Sequence, residues 1–516
     1  MTKKKSNAPD ISEREINIFK ALDPSNQSYV TPKNILDALE SMGILKDDLR
    51  IKPLITALKK KQENSKIELD EFCQLISSSI EVVEHAIQGN MVIPDFQEFT
   101  KDIEQIFHKT QSNKSGSVAN YIPQLGRVNP EQYAVSVCTV DGQRHSIGDH
   151  DVDFCVQSCS KPITYCLALE EHGEDLVHQY IGREPSGRGF NELTLNHEGK
   201  PHNPMINSGA IMSCSLLRPD LDVADRFDYV MEKWKALAGG RKVGFNNSVY
   251  LSERTTADRN FALSYYMREN KAFPDWADML QVLEFYFQVC SIDLNADQMS
   301  IIAGTLANGG VCPVTNERVF APRTVQNCLS LMYSCGMYDF SGEFAFSIGL
   351  PAKSGVAGAL LIVIPNVMGI CTWSPRLDKL GNSVRGIDFC QELVQTFNFH
   401  NYDNLTGLTE KKDPRQNDLH AFSDQLSQLM WAASKGDLSA ILRLESKGVD
   451  LSLADYDGRT PIHLAASEGH AEVVSFFIDR KINLNPKDRW GGTPLMDAKR
   501  HNHDAVTKLL KENGAK

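Results

Sequence analysis

The chain has 516 residues and carries 54 Lys and Arg against 66 Asp and Glu, a formal net charge of -12 at pH 7. That length exceeds one ordinary core and predicts about two to four domains. The acidity, with no basic stripe interleaved with aromatics, argues against binding along a nucleic-acid backbone. Its 12 cysteines are scattered, with no Cys-x-x-Cys pair and no His/Cys cluster at zinc spacing. They read as buried, reduced thiols of an intracellular protein, and no metal site is expected. The longest apolar run breaks at Pro365-Asn366, short of the ~18 residues of a membrane span, so none is expected. The opening Met1-Thr2-Lys3-Lys4-Lys5-Ser6 is basic, lacks an apolar core and turns acidic by Asp10. Neither a signal peptide nor an Arg-rich transit helix is read there, and a cytoplasmic location follows.

Residues 1–90 read as all-helical. Ser12-Glu13-Arg14-Glu15 has the pattern of a capping box, and Ile16, Ile18, Phe19 and Leu22 carry a helix to Asp23. Thr31-Pro32 opens a second helix ending near Gly43, and Ile51 to Leu58 and Leu69 to Ile76 extend the pattern. The arrangement is EF-hand-like. Counted from Asp23 as the first ligand, however, Ser28 stands at the sixth position where a Gly is needed. Asn34 stands at the twelfth, where a bidentate Glu closes a calcium site. The segment therefore reads as a helical oligomerisation or docking module.

The central region, residues 116–402, opens with a strand, Tyr133 to Val140, and the hairpin signal Asp141-Gly142. It closes with Leu360 to Ile364 and Val367 to Trp373, a second strand pair. Helical stretches lie between, as at Val282 to Val289 and Ile301 to Leu306. The pattern predicts an antiparallel sheet built from both ends of the domain, covered by a helical insertion, within a multidomain α+β chain.

The C-terminal segment, residues 424–516, repeats every 33 residues: Ala432, Ala465 and Ala498 align, as do Gly436, Gly469 and Asn502, and Thr460-Pro461 with Thr493-Pro494. This is the period of an ankyrin array, an α-solenoid, in which His463 is a capping residue with no chemistry. About two repeats and a leading half-repeat are read. So short an array is expected to pack on the core or on another subunit, and it is a candidate surface for a protein partner. Glu410 to Asn417 reads as the linker.

Two motifs carry chemistry. Ser158-Cys159-Ser160-Lys161 places a hydroxyl and an amine three residues apart at the start of an amphipathic run. On a helix the two share a face, so Lys161 can take the proton that Ser158 loses on attacking a carbonyl carbon. The spacing equally fits a helix N-terminal Ser with a solvated Lys. Far downstream, Lys353-Ser354-Gly355 precedes the apolar run Ala359 to Ile364. Ser-x-x-Lys followed by Lys-Ser/Thr-Gly on a strand edge is the arrangement of penicillin-recognising serine hydrolases, in which strand backbone stabilises the oxyanion.

Five further segments resemble the motifs of the serine-dependent glutaminases. They are Tyr121 to Leu125, Lys200 to Ala210, Ser252-Glu253-Arg254, Asp258 to Ala262 and Cys335 to Gly342. The layout as a whole is similar to the animal kidney/liver-type enzymes of that family, with a helical N-terminal domain and C-terminal ankyrin repeats about a β-lactamase/transpeptidase-like core. The resemblance implies hydrolysis of L-glutamine to L-glutamate and ammonia through a Ser-Lys dyad and a glutamyl-enzyme ester, without a cofactor. It implies a homo-oligomer, dimer or tetramer, and allows a mitochondrial location.

By the same resemblance Ser158 is the nucleophile, Lys161 the base and Tyr338 a proton relay, with backbone N–H groups of Ser158 and Val356 as the oxyanion hole. A base of this kind requires a poorly solvated Lys161. Tyr121, Asn207, Glu253, Asn260 and Tyr286 match substrate-binding positions, with Glu253 set to pair with the substrate ammonium. The chain departs from the family at Glu192 and Thr194, where a Lys and an aromatic are usual. That loop lies near the active-site mouth, and phosphate-type anions activate those enzymes by promoting tetramers; an acidic Glu192 repels an anion. Two rival readings remain: a serine hydrolase for another acyl group, or an ankyrin scaffold around an inactive core.

Overall fold

A computed structural model of the chain describes residues 11–23, 26–187, 189, 192–403, 411–416, 418–446 and 449–516, and divides it into residues 1–402 and 403–516. The first helices are α1 Glu13–Leu22, α2 Pro32–Ser41, α3 Lys52–Leu58, α4 Leu69–Ile76 and α5 Ile80–Gln88. A capping box of Ser12 with Glu15 starts α1, as the sequence predicts; α2 starts at Thr31-Pro32 as predicted and adds a capping box of Thr31 with Asn34. The two positions that bound the calcium-loop count are thus committed to backbone. Asn34 caps α2, and the Asp23 carboxylate accepts from the N–H groups of Gln27 and Ser28 (2.9 and 2.8 Å). Ile18, Leu39, Ile55, Phe72 and Val83 close one core.

This helical module docks on the following sheet, which begins after α6 Phe96–Gln111 and α7 Pro123–Gly126 with β1 Ala134–Thr139, β2 Arg144–Gly148 and β3 Phe154–Cys155. Arg144 N–H donates to Gly43 O (2.8 Å), Arg50 Nη1 donates to Asp141 O (2.9 Å), and Gln143 exchanges two hydrogen bonds with Ile93. Asp47 pairs with both Arg144 and Arg241. An exposed strand edge is a template for unwanted pairing, and the module covers part of this one.

Then follow α8 Ser160–Tyr180, broken at Gly173, α9 Asn207–Leu216, α10 Val223–Leu237, β4 Gly244–Phe245, α11 Asn247–Thr256, α12 Asp258–Glu269, α13 Met279–Cys290, β5 Ile292–Leu294 and α14 Ala296–Ala307. The first unit ends with α15 Pro322–Cys335, α16 Ser341–Ser347, β6 Ala352–Ser354, β7 Ala359–Ile364, β8 Met368–Trp373 and α17 Val384–Thr396. Five antiparallel strands run in the order β2-β1-β8-β7-β6, joining the two ends of the domain as the sequence predicts. A smaller sheet has the order β3-β5-β4.

Two-sided burial explains the unbroken apolar run of β7. Leu361 and Val363 face Met299, Ile302 and Leu306 of α14, while Leu360 and Ile362 face Phe99 and Ile103 of α6 and Phe389 and Leu393 of α17. Gly369 of β8 lets α14 approach, since a Cβ there would run into the backbone of Ala303 and Gly304. Among the described residues no helix is long and apolar enough to cross a membrane.

Among its described residues the second unit holds three helix pairs: α18 Asp418–Lys435 with α19 Leu438–Ser446, α20 Pro461–Ser467 with α21 Ala471–Asp479, and α22 Pro494–Arg500 with α23 Asp504–Glu512. The leading half-repeat is therefore a full pair; α18 lacks the Thr-Pro start that marks the other two. His463 caps α20 as expected, its Nδ1 accepting from Thr460 N–H (3.1 Å) and its Nε2 reaching Gly492 O (3.3 Å). Glu410 and Asn417, the ends of the predicted linker, lie outside the described residues.

Candidate active site

Val156 follows β3 and donates its N–H to Ile292 O (2.8 Å); the next residue, Gln157, takes a φ of +47°. A non-glycine residue in that region costs roughly 1 to 3 kcal/mol and persists only where its surroundings hold it. Here Ser160 Oγ donates to Gln157 O (2.7 Å), and Gln157 Nε2 donates to Glu253 Oε1 (2.9 Å). The reversal sets Ser158 in a single 3-10 turn, Gln157–Cys159, that feeds directly into α8.

Lys161 follows on the same face. Its Nζ lies 2.6 Å from Ser158 Oγ and 3.5 Å from Tyr286 Oη. The side chain is 2% exposed, and burial holds its pKa below the ordinary lysine value, which favours the free amine that a base requires. Cys159, between them, packs against Lys353 O (3.4 Å), and burial pushes its thiol up to about 11, leaving it unreactive at neutral pH.

The Lys-Ser-Gly element is β6, paired with β7 through Lys353↔Leu361 and Ser354↔Leu360. Gly355 sits where a Cβ would stand 3.0 Å from Cys159 Sγ and 3.1 Å from Val156 O, so glycine is needed to bring Val356 beside Ser158. Tyr338, 2% exposed, directs its hydroxyl at Ser158 and at the backbone of Val356; burial pushes its pKa up, so it stays protonated. Lys353 is also buried. Its Nζ donates to Gly336 O (2.8 Å) and Ser354 O (2.9 Å) and stands 4.7 Å from the Tyr338 ring centroid. Burial and the nearby charge of Lys161 push Lys353 down to about 7.

Opposite these groups lies a polar wall. Glu253 of α11 is 7% exposed, and its Oε1 also accepts from Tyr121 Oη (2.6 Å). Burial raises its pKa, and the hydrogen bonds from Tyr121 and Gln157 and the charge of Lys161 oppose that. Tyr121 is 48% exposed, yet its hydroxyl points inward, so it roofs the carboxylate. Asn207, at the start of α9, donates through Nδ2 to Asn260 Oδ1 of α12 (3.1 Å), while Tyr286 Oη donates to Asn207 Oδ1 (3.4 Å). One chain of contacts thus links Ser158 to Lys161, Tyr286, Asn207 and Asn260, and another links Glu253 to Tyr121 and Gln157.

Gln157 and Lys353 also belong to the site, although the sequence motifs assign neither a role. Gln157 gives no local signal, because glutamine is not a residue favoured at positive φ. Lys353 lay inside a recognised motif. A cavity of about 630 Å3 adjoins Tyr338, with Pro185, Ser186, Gly187, Met337 and Asp339 in its wall. In the loop next to it, Arg188, Phe190 and Asn191 lie outside the described residues, while Glu192 N–H donates to Gly189 O (3.1 Å). Chemically, a hydroxyl against a buried amine, a protonated phenol, a close backbone turn and a carboxylate served by neutral donors suit acyl transfer from a substrate that brings its own cation.

The model of the glutaminase family matches residues 116–402, that of ankyrin repeats (3 copies) residues 429–516, and that of an EF-hand domain residues 15–94. The chain is 48% identical over 480 residues to the liver isoform of glutaminase, mitochondrial, of Mus musculus, covering 92% of this chain and 80% of that relative. It is 42% identical over 321 residues to a glutaminase of Nostoc sp., covering 62% of this chain and 95% of the relative, so the shorter protein corresponds to the central region. A solved structure described as a probable glutaminase superposes with a TM-score of 0.56 at 36% identity, covering 58% of this chain and 96% of that one.

Proposed function

The chain belongs to the glutaminase family, and from that premise we propose that it hydrolyses L-glutamine to L-glutamate and ammonia through Ser158, Lys161 and a glutamyl-enzyme ester. The observation that carries the mechanism is the 2.6 Å approach of a nearly solvent-free Lys161 amine to Ser158 Oγ. Lys161 removes the Ser158 proton as Oγ bonds to the side-chain amide carbon. The oxyanion that forms is met by the backbone N–H groups of Ser158 and Val356. Collapse breaks the C–N bond, and the leaving nitrogen takes a proton through Tyr338, so ammonia departs. Water then adds to the ester, Lys161 or Tyr338 accepts its proton, and the C–O bond breaks to return the Ser158 hydroxyl and free glutamate.

Glu253 gives the substrate ammonium a partner, roofed by Tyr121, and Asn207, Asn260 and Tyr286 supply neutral donors and acceptors for the carboxylate and side-chain amide. This wall favours an amino acid over the acyl groups of a general esterase or β-lactamase. We also read three functional segments, 1–90, 116–402 and 424–516, a homo-oligomer by resemblance to the animal enzymes, and a protein-binding role for the ankyrin array. All twelve cysteines are unpaired, which supports a reducing, intracellular compartment.

The test is glutamate and ammonia release from L-glutamine, with L-asparagine alongside, for the wild type and Ser158→Ala. Release of glutamate that disappears in the variant supports both reaction and nucleophile. No release, with or without phosphate, favours the scaffold reading, and activity surviving Ser158→Ala refutes the mechanism. Added hydroxylamine should divert the ester to γ-glutamyl hydroxamate, and its failure to do so at undiminished turnover would argue against the intermediate.

A further inference from the structure

The proposed relay Tyr338 sits on neither helix nor strand, but in the loop between α15 and α16, followed by Asp339 at a φ of +46°. Such a loop has no regular ladder to fix it, yet a proton relay tolerates little displacement. Neighbouring groups hold its flanks: Ser354 N–H donates to Gly336 O (3.2 Å), and Met337 N–H donates to Ser341 Oγ (3.0 Å). Tyr338 itself is held from elsewhere. Its N–H donates to Asn382 Oδ1 (3.2 Å), and its C=O accepts from Asn382 Nδ2 (3.0 Å).

One amide, 44 residues away and 0% exposed, therefore satisfies both backbone groups of Tyr338. The turn that presents it is itself fixed: Asp378 Oδ1 accepts from the N–H groups of Leu380, Gly381 and Asn382 (2.8, 2.8 and 2.9 Å), and Asp378 N–H donates to Asn382 O (2.8 Å). Gly381 supplies the φ of +99° that this turn needs and that side-chain-bearing residues rarely adopt. Only an amide of this length offers a donor and an acceptor together; Asp keeps the acceptor but turns a second oxygen on the Tyr338 carbonyl, and Ala offers neither.

From this geometry we infer that Asn382 is a positioning residue for the reaction, holding the backbone of Tyr338 so that its phenol stays registered on Ser158. The inference rests on the relay reading of Tyr338, and the test separates the two. Full-length Asn382→Asp, Asn382→Ala, Tyr338→Phe and the Asn382→Asp/Tyr338→Phe double variant are compared by kcat and KM for L-glutamine, with thermal unfolding to establish folding. Expected are a kcat lowered about 10- to 100-fold in both Asn382 variants, a KM within about threefold of wild type, and less than about a threefold further loss when Asn382→Asp is added to Tyr338→Phe. Wild-type kcat in a folded Asn382 variant, a loss confined to KM, or a full additive loss in the double variant overturns the inference. Wild-type kcat in Tyr338→Phe overturns the relay on which it rests.

Discussion

Substituting Glu253→Gln should separate binding from stability in opposite directions. The carboxylate is 7% exposed, and its Oε1 hydrogen bonds come from two neutral donors, Tyr121 Oη at 2.6 Å and Gln157 Nε2 at 2.9 Å. Neither brings a formal charge, and Lys161 acts on the carboxylate only through space, so the proposed reading gives Glu253 the substrate ammonium as its direct positive partner. Removing one member of a buried charge pair costs about 3 to 5 kcal/mol, or roughly 10²- to 5 × 10³-fold in kcat/KM. In the free enzyme the sign reverses. Burial raises the folded-state pKa of Glu253 above its unfolded value, so its contribution to stability is present at acid pH and lost as pH rises through the folded pKa. A neutral Gln accepts the same two hydrogen bonds without that penalty. The variant should therefore melt at or above the wild-type temperature at pH 8, with the advantage shrinking towards pH 5. Initial rates of glutamate release and thermal unfolding across that range test both halves. A kcat/KM within fivefold of wild type would refute the ammonium assignment, and a melting temperature several degrees lower at pH 8 would refute the burial penalty.

Three other outcomes follow from the same contacts. Lys161→Met should lower kcat by at least about 10³-fold while leaving melting unchanged or raised, because it removes a buried amine whose pKa is depressed. A depressed lysine weakens the folded state as pH falls below the unfolded value near ~10.4, so any stability gap between variant and wild type should narrow as pH rises towards 10. Gly355→Ala forces a Cβ to within 3.0 Å of Cys159 Sγ and 3.1 Å of Val156 O; displacement of Val356 should reduce kcat about 10- to 100-fold with KM nearly unchanged, read from steady-state kinetics. Phe72→Ala, in the core of the N-terminal module and 5.4 Å from the Phe19 ring centroid, should destabilise by about 3 to 5 kcal/mol in chemical denaturation without altering kcat for the folded fraction.

Much of the architecture is written in local patterns. The Ser12/Glu15 and Thr31-Pro32 starts, the 33-residue period and the apolar run of β7 each state an element's type and burial without reference to the rest of the chain. The Ser158/Lys161 pair is local too, because three residues on a helix bring two side chains to one face. The leading ankyrin pair is only half legible for the same reason, since α18 lacks the Thr-Pro signature that a local reading depends on.

The sequence by itself determined the elements, the repeat, the paired motifs and, through long motifs agreeing in order, the family. Tertiary structure alone decided what those residues experience. Glu253 meets Tyr121 across 132 positions, Asn382 meets Tyr338 across 44, and Gln157 keeps a strained backbone only because Glu253 and Ser160 hold it. The depressed basicity of Lys161 likewise comes from burial by α8 and its neighbours. Periodicity and capping act over a few residues and can be read in order along the chain. Burial and long-range hydrogen bonds depend on which turns bring distant segments together, and that is settled only when the whole domain closes.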